Sequence, residues 1–298
     1  MGDVTQALGG IASWFGGNRM SADVPGRLLG ACEIVFVPFA GGLSELPHIG
    51  AREIVAADFH ADLINLARVV QYPLLRTKLV RMVEGLPFHP DVLAEAQATC
   101  RTFREVSGTR PAGLFAPIQY GPMSDEDRVS WAAAYYVVAW MGRSALAGTG
   151  GELRSGLAVR YNAGGGASSK RWRTAVAGIT QWGEWIANVA FQRMDCFELL
   201  ARAENDRGVG IYCDPPWPED GDRYVHAFTP TQQKRLADVL RERDKCRIVV
   251  RINDHPLSRE LYEGWMERLE IKGRTQANTA KAEVVFHQNC EGGARCGA

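Results

Sequence analysis

The feature that most constrains the fold is a short apolar run, Val209 to Cys213, which ends at Asp214, Pro215, Pro216 and Trp217. A run of this length and composition predicts a strand that is buried on both faces of an α/β sheet. Each proline lacks a backbone N–H donor and has a fixed φ, so neither can continue the sheet. The chain must therefore leave the strand in a stiff turn, at the end where open α/β sheets bind ligands.

The residues of this turn suit an exocyclic amine on a nucleobase. The Asp214 carboxylate and the Pro215 carbonyl can accept the two amine hydrogens, and Trp217 can stack on the base. A purely structural turn is the other interpretation of these residues. The buried strand before the turn and the aromatic residue after it favour the functional interpretation.

The composition is that of an ordinary globular protein. Of the 298 residues, 46% are hydrophobic and 23% are charged, which allows one large domain or two smaller ones around a real core. The formal net charge is +0, so any surface that attracts nucleic acid must be local.

The sequence predicts a cytoplasmic protein without a membrane segment or a metal site. The N-terminus lacks the charged and apolar regions of a signal peptide. The longest charge-free apolar run, Trp131 to Gly142, is shorter than the roughly 20 residues that span a bilayer, and it predicts a buried helix. The seven cysteines form no Cys-x-x-Cys pair and no zinc spacing, which favours free thiols in a reducing compartment.

A second predicted strand, Cys32 to Val37, leads into small residues that let the backbone approach a ligand closely. This segment comprises Pro38, Phe39, Ala40, Gly41 and Gly42. It lacks the G-x-G-x-x-G pattern of dinucleotide-binding proteins. Asp58 ends another predicted strand, at 53–58, and is placed either to bind ribose hydroxyls or to cap the helix that follows.

The alternation of short strands and helices predicts a doubly wound α/β sheet. Further strands are predicted at 246–252, 269–271 and 284–286, the last two as an antiparallel C-terminal pair. After Gln71, helical periodicity replaces the strand pattern, which predicts a mostly helical insertion at 73–170. The domain that carries the sheet would then comprise 1–72 and 171–298.

A basic stretch runs from Arg128 to Gly183. Seven basic residues and only one acid, Glu152, give it a net charge of +6 in a chain whose total is zero. Basic side chains on glycine-rich loops suit a surface that closes on a phosphate backbone, and a solvated set of loops without a partner is the alternative. The candidate DNA-binding residues are Arg143, Arg154, Arg160, Lys170, Arg171 and Arg173.

Four other residues have local interpretations. Thr229 precedes Pro230 and predicts the N-cap of a helix. Asp195, read alone, predicts another cap, and Phe197 predicts a core residue. His255 follows a predicted strand, and a structural role in a turn is favoured there over acid–base chemistry.

Taken in order, these motifs resemble those of the Dam-type family, the α-class DNA adenine-N6 methyltransferases. Two central motifs carry most of the resemblance: the segment Pro38 to Gly42 with Asp58 after it, and the segment Asp214 to Trp217. Trp14, Phe15, Gly16 and Gly17 match the N-terminal cofactor motif of the family. Weaker matches to phage-type members occur at 142–149, 160–162, 164–166 and 254–256, so the resemblance covers most of the chain.

The resemblance implies a Rossmann-like methyltransferase sheet, S-adenosyl-L-methionine as the cofactor and double-stranded DNA as the substrate. The methyl group would pass to the N6 amine of an adenine flipped out of the duplex. The catalytic residues would be Asp214, Pro215, Pro216 and Trp217. Gly41 and Gly42 would contact the methionine part of the cofactor, Asp58 its ribose, and Asp195 and Phe197 its adenine. The insertion at 73–170 would read the target site, and a partner restriction endonuclease is left open.

Three positions depart from the family pattern. Asn18 stands where lysine is usual, Val37 where an acid is frequent, and Trp217 where tyrosine or phenylalanine is usual. The bulk of Trp217 keeps cytosine N4 as an alternative target. A catalytically decayed protein that binds the cofactor or DNA is a second alternative, and an RNA or small-molecule methyltransferase is a third.

Overall fold

The computed structural model of the chain describes residues 9–17, 21–106, 123–143, 146–159, 167–218, 223–271 and 283–288. These residues form two compact units that alternate along the sequence. One, which we call the helical unit, falls within Met1–Arg19, Gly41–Ser44 and His60–Ala187. The other, the sheet unit, falls within Met20–Ala40, Glu45–Phe59 and Asn188–Ala298.

The helices and strands are numbered in chain order. They are α1 (Asp23–Leu29), β1 (Cys32–Val37), β2 (Ala51–Ala57), α2 (Ala61–Gln71), α3 (Pro73–Glu84), α4 (Pro90–Val106), α5 (Asp125–Met141), α6 (Ser168–Trp185), β3 (Val189–Gln192), α7 (Cys196–Leu200), β4 (Val209–Cys213), α8 (Pro230–Arg241), β5 (Arg247–Asn253), α9 (Pro256–Tyr262), β6 (Glu267–Ile271) and β7 (Glu283–Gln288). Short 3₁₀ helices lie at Leu46–His48 and Glu152–Arg154.

In the described part of the chain, the strands of the sheet unit form one seven-stranded sheet in the order β3-β2-β1-β4-β5-β7-β6. The pairs from β3 to β5 are parallel, and the pairs β5–β7 and β6–β7 are antiparallel. The expected α/β architecture with an antiparallel C-terminal pair is therefore confirmed. The predicted strand at 246–252 is shifted by one residue, to Arg247–Asn253.

Strand β4 is central and has parallel neighbours on both sides. All five of its residues are buried, as the apolar run predicts. Its register pairs Phe36 with Ile211 on one side and Cys213 with Val250 on the other. The strand before the Asp-Pro-Pro-Trp segment is thus fixed by hydrogen bonds along both edges and by packing on both faces.

The helical unit is built around α5. The residues from Trp131 to Met141 are all buried, as expected for this apolar run. Helices α2, α3, α4 and α6 pack against α5, and α6 also packs against α2 and α3. None of the helices in the described ranges is long and apolar enough to cross a membrane.

The helical unit differs in extent from the insertion predicted at 73–170. Its longest segment runs from His60 to Ala187 because α2 and α6 bury their apolar faces against α5. The sequence pattern places residues 60–72 and 171–187 in the catalytic domain, and that functional division stays a prediction. The role of the unit in target recognition stays a prediction.

Candidate functional site

The carboxyl ends of β1 and β4 lie side by side at the centre of the sheet. From β1 the sheet extends through β2 to β3 on one side, and from β4 it extends to β5 on the other. The direction of the strand order therefore reverses between β1 and β4. Open α/β sheets bind ligands outside the carboxyl ends of their strands at such a switch point. Pro38 follows β1 and Asp214 follows β4, so both residues lie at this edge.

The turn after β4 is held by a glutamine that the sequence did not single out. Gln233 on α8 is fully buried, and its Nε2 donates to the Pro216 carbonyl at 2.6 Å. Helix α8 begins with a capping box in which Thr229 and Gln232 bond each other's backbone, so the predicted N-cap is confirmed. The position of α8 thus fixes the geometry of the turn.

The Asp214 carboxylate is largely buried, with 25% of its side chain exposed. Its Oδ2 accepts a hydrogen bond from Arg251 Nη1 at 3.1 Å. Burial, which outweighs the Arg251 charge, acts together with the nearby Glu45 and Glu283 carboxylates to raise the pKa of Asp214 to about 7. Near neutral pH the group can therefore both take up and release a proton.

Arg251 is the centre of an ion cluster in the sheet unit. It lies on β5 with only 1% of its side chain exposed. Besides Asp214, its Nη1 donates to Glu45 at 3.1 Å, and its Nη2 contacts both carboxylate oxygens of Glu283 at 3.2 and 3.3 Å. No motif in the sequence indicates this cluster. Its signal is an arginine within the otherwise apolar strand Ile248 to Ile252, because a buried charge needs partners.

Trp217 is packed into the core of the sheet unit rather than presented at its surface. Only 9% of the residue is exposed, and it belongs to the same apolar cluster as Ile211 and Phe228. Stacking on a base stays a prediction, and it requires the indole to use its remaining exposed edge or to move.

Asp195 and Phe197 have the local roles that the sequence predicts. Asp195 is the N-cap of α7, with its Oδ1 accepting from the Phe197 N–H at 2.8 Å. Phe197 is buried, stacks on Phe228 and lies beneath the Arg235 guanidinium, 4.0 Å from the ring centroid. Contacts of both residues with the cofactor adenine stay predictions from the family resemblance.

Asp58 follows β2 at the same edge of the sheet, and its N–H donates to the Gln192 carbonyl at 3.3 Å. The alternative that Asp58 caps the next helix is wrong. His60 is the N-cap of α2, and its Nδ1 accepts from the Leu63 N–H. Binding of ribose by Asp58 stays a prediction, and the half-buried side chain is compatible with it. Beside it, the Ala40 N–H donates to the carbonyl of the last β2 residue at 2.9 Å.

Within the helical unit, three glycines form a slot for Trp14. A Cβ atom would lie 3.2 Å from the indole at Gly41, 2.8 Å from the Trp14 Cβ at Gly42 and 2.5 Å from the indole at Gly148. The Phe15 N–H next to it donates to the Ala147 carbonyl at 3.0 Å. The two glycines that were expected to admit the cofactor therefore admit this tryptophan. Their contact with the cofactor, and that of Trp14, Phe15, Gly16 and Gly17, stay predictions.

Replacing Gly148 with alanine is expected to destabilise the protein by about 1–3 kcal/mol. Gly148 has a φ of +83°, which an L residue rarely adopts, and the added methyl group would overlap the indole of Trp14. Urea unfolding followed by tryptophan fluorescence measures the loss. Gly150→Ala is the matched control, because nothing lies within 4 Å of its Cβ position. Equal effects of the two substitutions would contradict the slot.

The helical unit also contains a buried polar network that the sequence did not reveal. Arg104 donates to Asp62 Oδ2 at 2.8 Å and to Glu152. His60 Nε2 bonds Glu152 Oε1 at 2.9 Å, and Trp131 donates to Asp62 Oδ1 at 2.8 Å. Asp62, Glu152 and His60 are all buried, so the network ties α2, α4 and α5 to the 3₁₀ helix that begins at Glu152.

The charges of this network shift one another's pKa values. Burial alone would raise the pKa of Glu152, but His60 and Arg104 outweigh it and lower the pKa to about 2. Burial alone would lower the pKa of His60, but the Glu152 carboxylate outweighs it and raises that pKa. Both shifts favour the charged pair, which is consistent with a structural role.

The candidate DNA-binding residues fall within the helical unit. Arg143, Arg154, Lys170 and Arg173 are exposed. Arg171 is half-buried and donates to the Trp140 carbonyl at 3.3 Å, which gives it a structural role in addition to any contact with DNA. Arg160 lies outside the described residues. Trp172 and Trp182 on α6 are buried core residues.

No protein-family model matches the chain, and no curated protein matches it.

Proposed function

We propose that this chain is a DNA methyltransferase that transfers the methyl group of S-adenosyl-L-methionine to the N6 amine of adenine in double-stranded DNA. One observation carries the proposal. A strand buried on both faces ends in Asp214-Pro215-Pro216-Trp217 at the switch point of a mostly parallel sheet. The Asp-Pro-Pro-aromatic segment resembles the catalytic motif of the Dam-type family, and the edge where it lies is where such a sheet binds its ligands.

The donors and acceptors of the sheet unit fit the cofactor. Asp58 follows β2 and Asp195 follows β3, and these two strands are neighbours. Two partly buried carboxylates therefore lie at the same edge of the sheet as Pro38. Carboxylates accept hydrogen bonds from ribose hydroxyls and from the adenine amine. We assign Asp58 to the ribose and Asp195 to the adenine, where Asp195 retains acceptor capacity beyond its cap. Phe197 would contribute the ring surface that Phe228 and Arg235 leave uncovered.

The cofactor supplies a methyl group on a sulfonium, which is a good leaving group, so positioning provides most of the catalysis. The Asp214 carboxylate and the Pro215 carbonyl accept the two amine hydrogens and direct the nitrogen lone pair. Gln233 holds the next carbonyl, that of Pro216, and so keeps the turn in one geometry. With a pKa of about 7, Asp214 is also suited to take up the proton that the amine loses.

The base must leave the duplex, because a paired amine cannot reach the carboxylate. The exposed basic residues of the helical unit, Arg143, Arg154, Lys170 and Arg173, would bind the phosphate backbone. This assignment rests on their charge and exposure.

A non-catalytic protein that binds the cofactor or DNA is the second candidate. Two observations favour it: Asp214 is paired with Arg251, and Trp217 is buried. If the chain is an enzyme, a base must be able to bind despite the Asp214–Arg251 ion pair and the burial of Trp217.

Nucleoside mass spectrometry of unmethylated double-stranded DNA, incubated with the purified protein and S-adenosyl-L-methionine, tests the proposal. We expect N6-methyldeoxyadenosine. N4-methyldeoxycytidine would retain the chemistry and change the base, with Trp217 as the first residue to examine. If no base is methylated while calorimetry detects cofactor binding, the non-catalytic candidate replaces the enzyme.

A further inference from the structure

We propose that Arg251 is the positioning residue for Asp214, and that Glu45 and Glu283 anchor it so that it keeps its place when Asp214 turns to the substrate amine. The inference rests on the proposed function. It assigns a role to three residues that the Asp-Pro-Pro-Trp segment does not include, and it explains how a paired aspartate can still serve a substrate.

Each of the three carboxylates accepts from a different N–H group of the Arg251 guanidinium. The two hydrogens of Arg251 Nη1 point to different carboxylates, Glu45 and Asp214, each at 3.1 Å, while Nη2 donates to Glu283. The planar guanidinium can make these bonds at once, whereas a lysine ammonium at the same place is a point charge on a flexible stem. If Asp214 moves away, Arg251 therefore keeps two of its three carboxylate partners.

The positions of the four residues in the sheet keep the cluster together. Asp214 follows Cys213, which pairs with Val250, so Arg251 is the next residue in the β4–β5 register. Glu283 begins the antiparallel strand β7, opposite Asn253. Glu45 precedes the 3₁₀ helix at Leu46–His48. The anchors are therefore fixed by the sheet and by a short helix that follows β1.

Burial distinguishes Asp214 from the anchors. The side chains of Arg251, Glu45 and Glu283 are 1%, 9% and 4% exposed, against 25% for Asp214. A substrate amine can reach the aspartate, while the anchors stay in the interior. Breaking the anchors would separate opposite charges in the interior, whereas Asp214 can turn toward a polar substrate on its exposed side.

Among the four side chains of this cluster, negative charge exceeds positive charge. Three carboxylates surround one guanidinium, so the four groups carry a net charge of −2 when all are ionised. Among the described residues, the Tyr212 hydroxyl on β4, the Cys213 thiol and the Trp217 indole also interact with the Asp214 carboxylate, and none of these three groups is a cation. Binding one proton reduces the net negative charge of these four groups. Asp214 is the place for it, because its pKa is raised to about 7, chiefly by burial.

The chemical step balances with these groups. The amine nitrogen forms a bond to the methyl carbon as the carbon–sulfur bond breaks, and the sulfonium becomes a neutral thioether. The nitrogen, now cationic, loses one proton to the Asp214 carboxylate, which becomes a carboxylic acid. Arg251 remains paired with Glu45 and Glu283 during the transfer, and the proton leaves Asp214 through its exposed side.

Two readouts on the full-length protein test the inference. The first is the ¹³C resonance of the Asp214 carboxyl carbon, followed from about pH 4 to about pH 9 and identified by its loss in Asp214→Asn. Wild-type Asp214 is expected to titrate well above the ordinary aspartate value. In Glu283→Gln, which removes one neighbouring negative charge, its titration is expected to move to lower pH. Glu45→Gln is the second variant, for use if Glu283→Gln does not fold.

Glu53→Gln is the matched control, since it removes one negative charge from an exposed position on β2 of the same unit. It is expected to leave the Asp214 titration unchanged, because solvent screens exposed charges. Titration of wild-type Asp214 at the ordinary value, or an equal shift in the control, would overturn the charge coupling. This readout needs no methyl transfer, so it stands apart from any failure of the proposed function.

The second readout is the pH dependence of kcat/KM for methyl transfer. Glu283→Gln is expected to move the acidic limb of the profile to lower pH, in parallel with the titration of Asp214. A merely structural role would lower kcat/KM by the same factor at every pH and leave the limb in place. That outcome would overturn the positioning role even if the resonance shifts.

Discussion

Replacing Asp214 with asparagine is expected to lower the rate of methyl transfer by about 10³-fold or more. The substitution keeps the size of the side chain but replaces one acceptor oxygen with an NH₂ donor. That group can neither accept an amine hydrogen nor take up its proton. Single-turnover transfer of labelled methyl to DNA, at saturating cofactor, measures the loss.

The fold and the cofactor affinity of Asp214→Asn are expected to survive. Folding raises the pKa of Asp214 from 3.8 to about 7, so the folded protein binds the proton more tightly than the unfolded chain. The stability that this proton provides is complete below pH 3.8 and is lost as the pH rises through about 7. At about pH 8 the ionised carboxylate is therefore a cost that asparagine removes, and the unfolding free energy should not decrease.

Asp254→Asn is the matched control for this substitution. Asp254 follows β5, the strand next to β4, and is paired with Arg259 and Arg268. It should retain most of the activity. If Asp214→Asn transfers methyl at a rate close to that of the control, Asp214 has no catalytic role.

Replacing Arg104 with methionine is expected to lower the free energy of unfolding by about 3–5 kcal/mol. Arg104 is 17% exposed and pairs with Asp62 and Glu152, which are 1% and 2% exposed. Methionine fills similar space but leaves the two buried carboxylates without their guanidinium partner. Urea unfolding at about pH 7 measures the effect. The slope of the unfolding free energy against urea concentration is compared with that of the wild type.

Arg101→Met provides the comparison on the same helix. Arg101 is exposed and donates one hydrogen bond, to the Leu153 carbonyl at 2.9 Å, so its loss should cost about 1 kcal/mol or less. The pH dependence checks the cause of the larger loss. Because Glu152 has a lowered pKa, its stabilisation is present above pH 4.5 and disappears as the pH falls toward about 2. Arg104→Met should show a smaller fall in this window than the wild type, and an equal fall would contradict the assigned pairing.

The caps and strands of the sheet unit were predictable because they depend on neighbouring residues. Thr229 caps α8, and Asp195 caps α7, each by bonding a backbone N–H two or three positions away. His255 caps α9 in the same way, which confirms the structural role that its position suggested. The local rule failed at the start of α2, where His60 is the N-cap in place of the predicted Asp58.

The two glycines after β1 show a different limit. Two small residues directly after a buried strand predict that another group lies close to the backbone there, and the structure contains such a contact. The sequence could not show that the approaching group is Trp14, some 27 positions earlier in the chain. The burial of Trp217 was unpredictable for the same reason, because the residues that pack around its ring come from distant parts of the chain.

The sequence by itself determined the α/β class, the central buried strand and the stiff turn that presents Asp214 at its end. These follow from apolar periodicity and from the fixed φ of proline, which act within a few residues. The tertiary structure alone decided what surrounds that carboxylate. Arg251 lies 37 positions from Asp214, 206 from Glu45 and 32 from Glu283. The pairing of β4, β5 and β7, together with the 3₁₀ helix that follows Glu45, brings them together. Ion pairs depend on distance in space, which a sequence pattern does not encode.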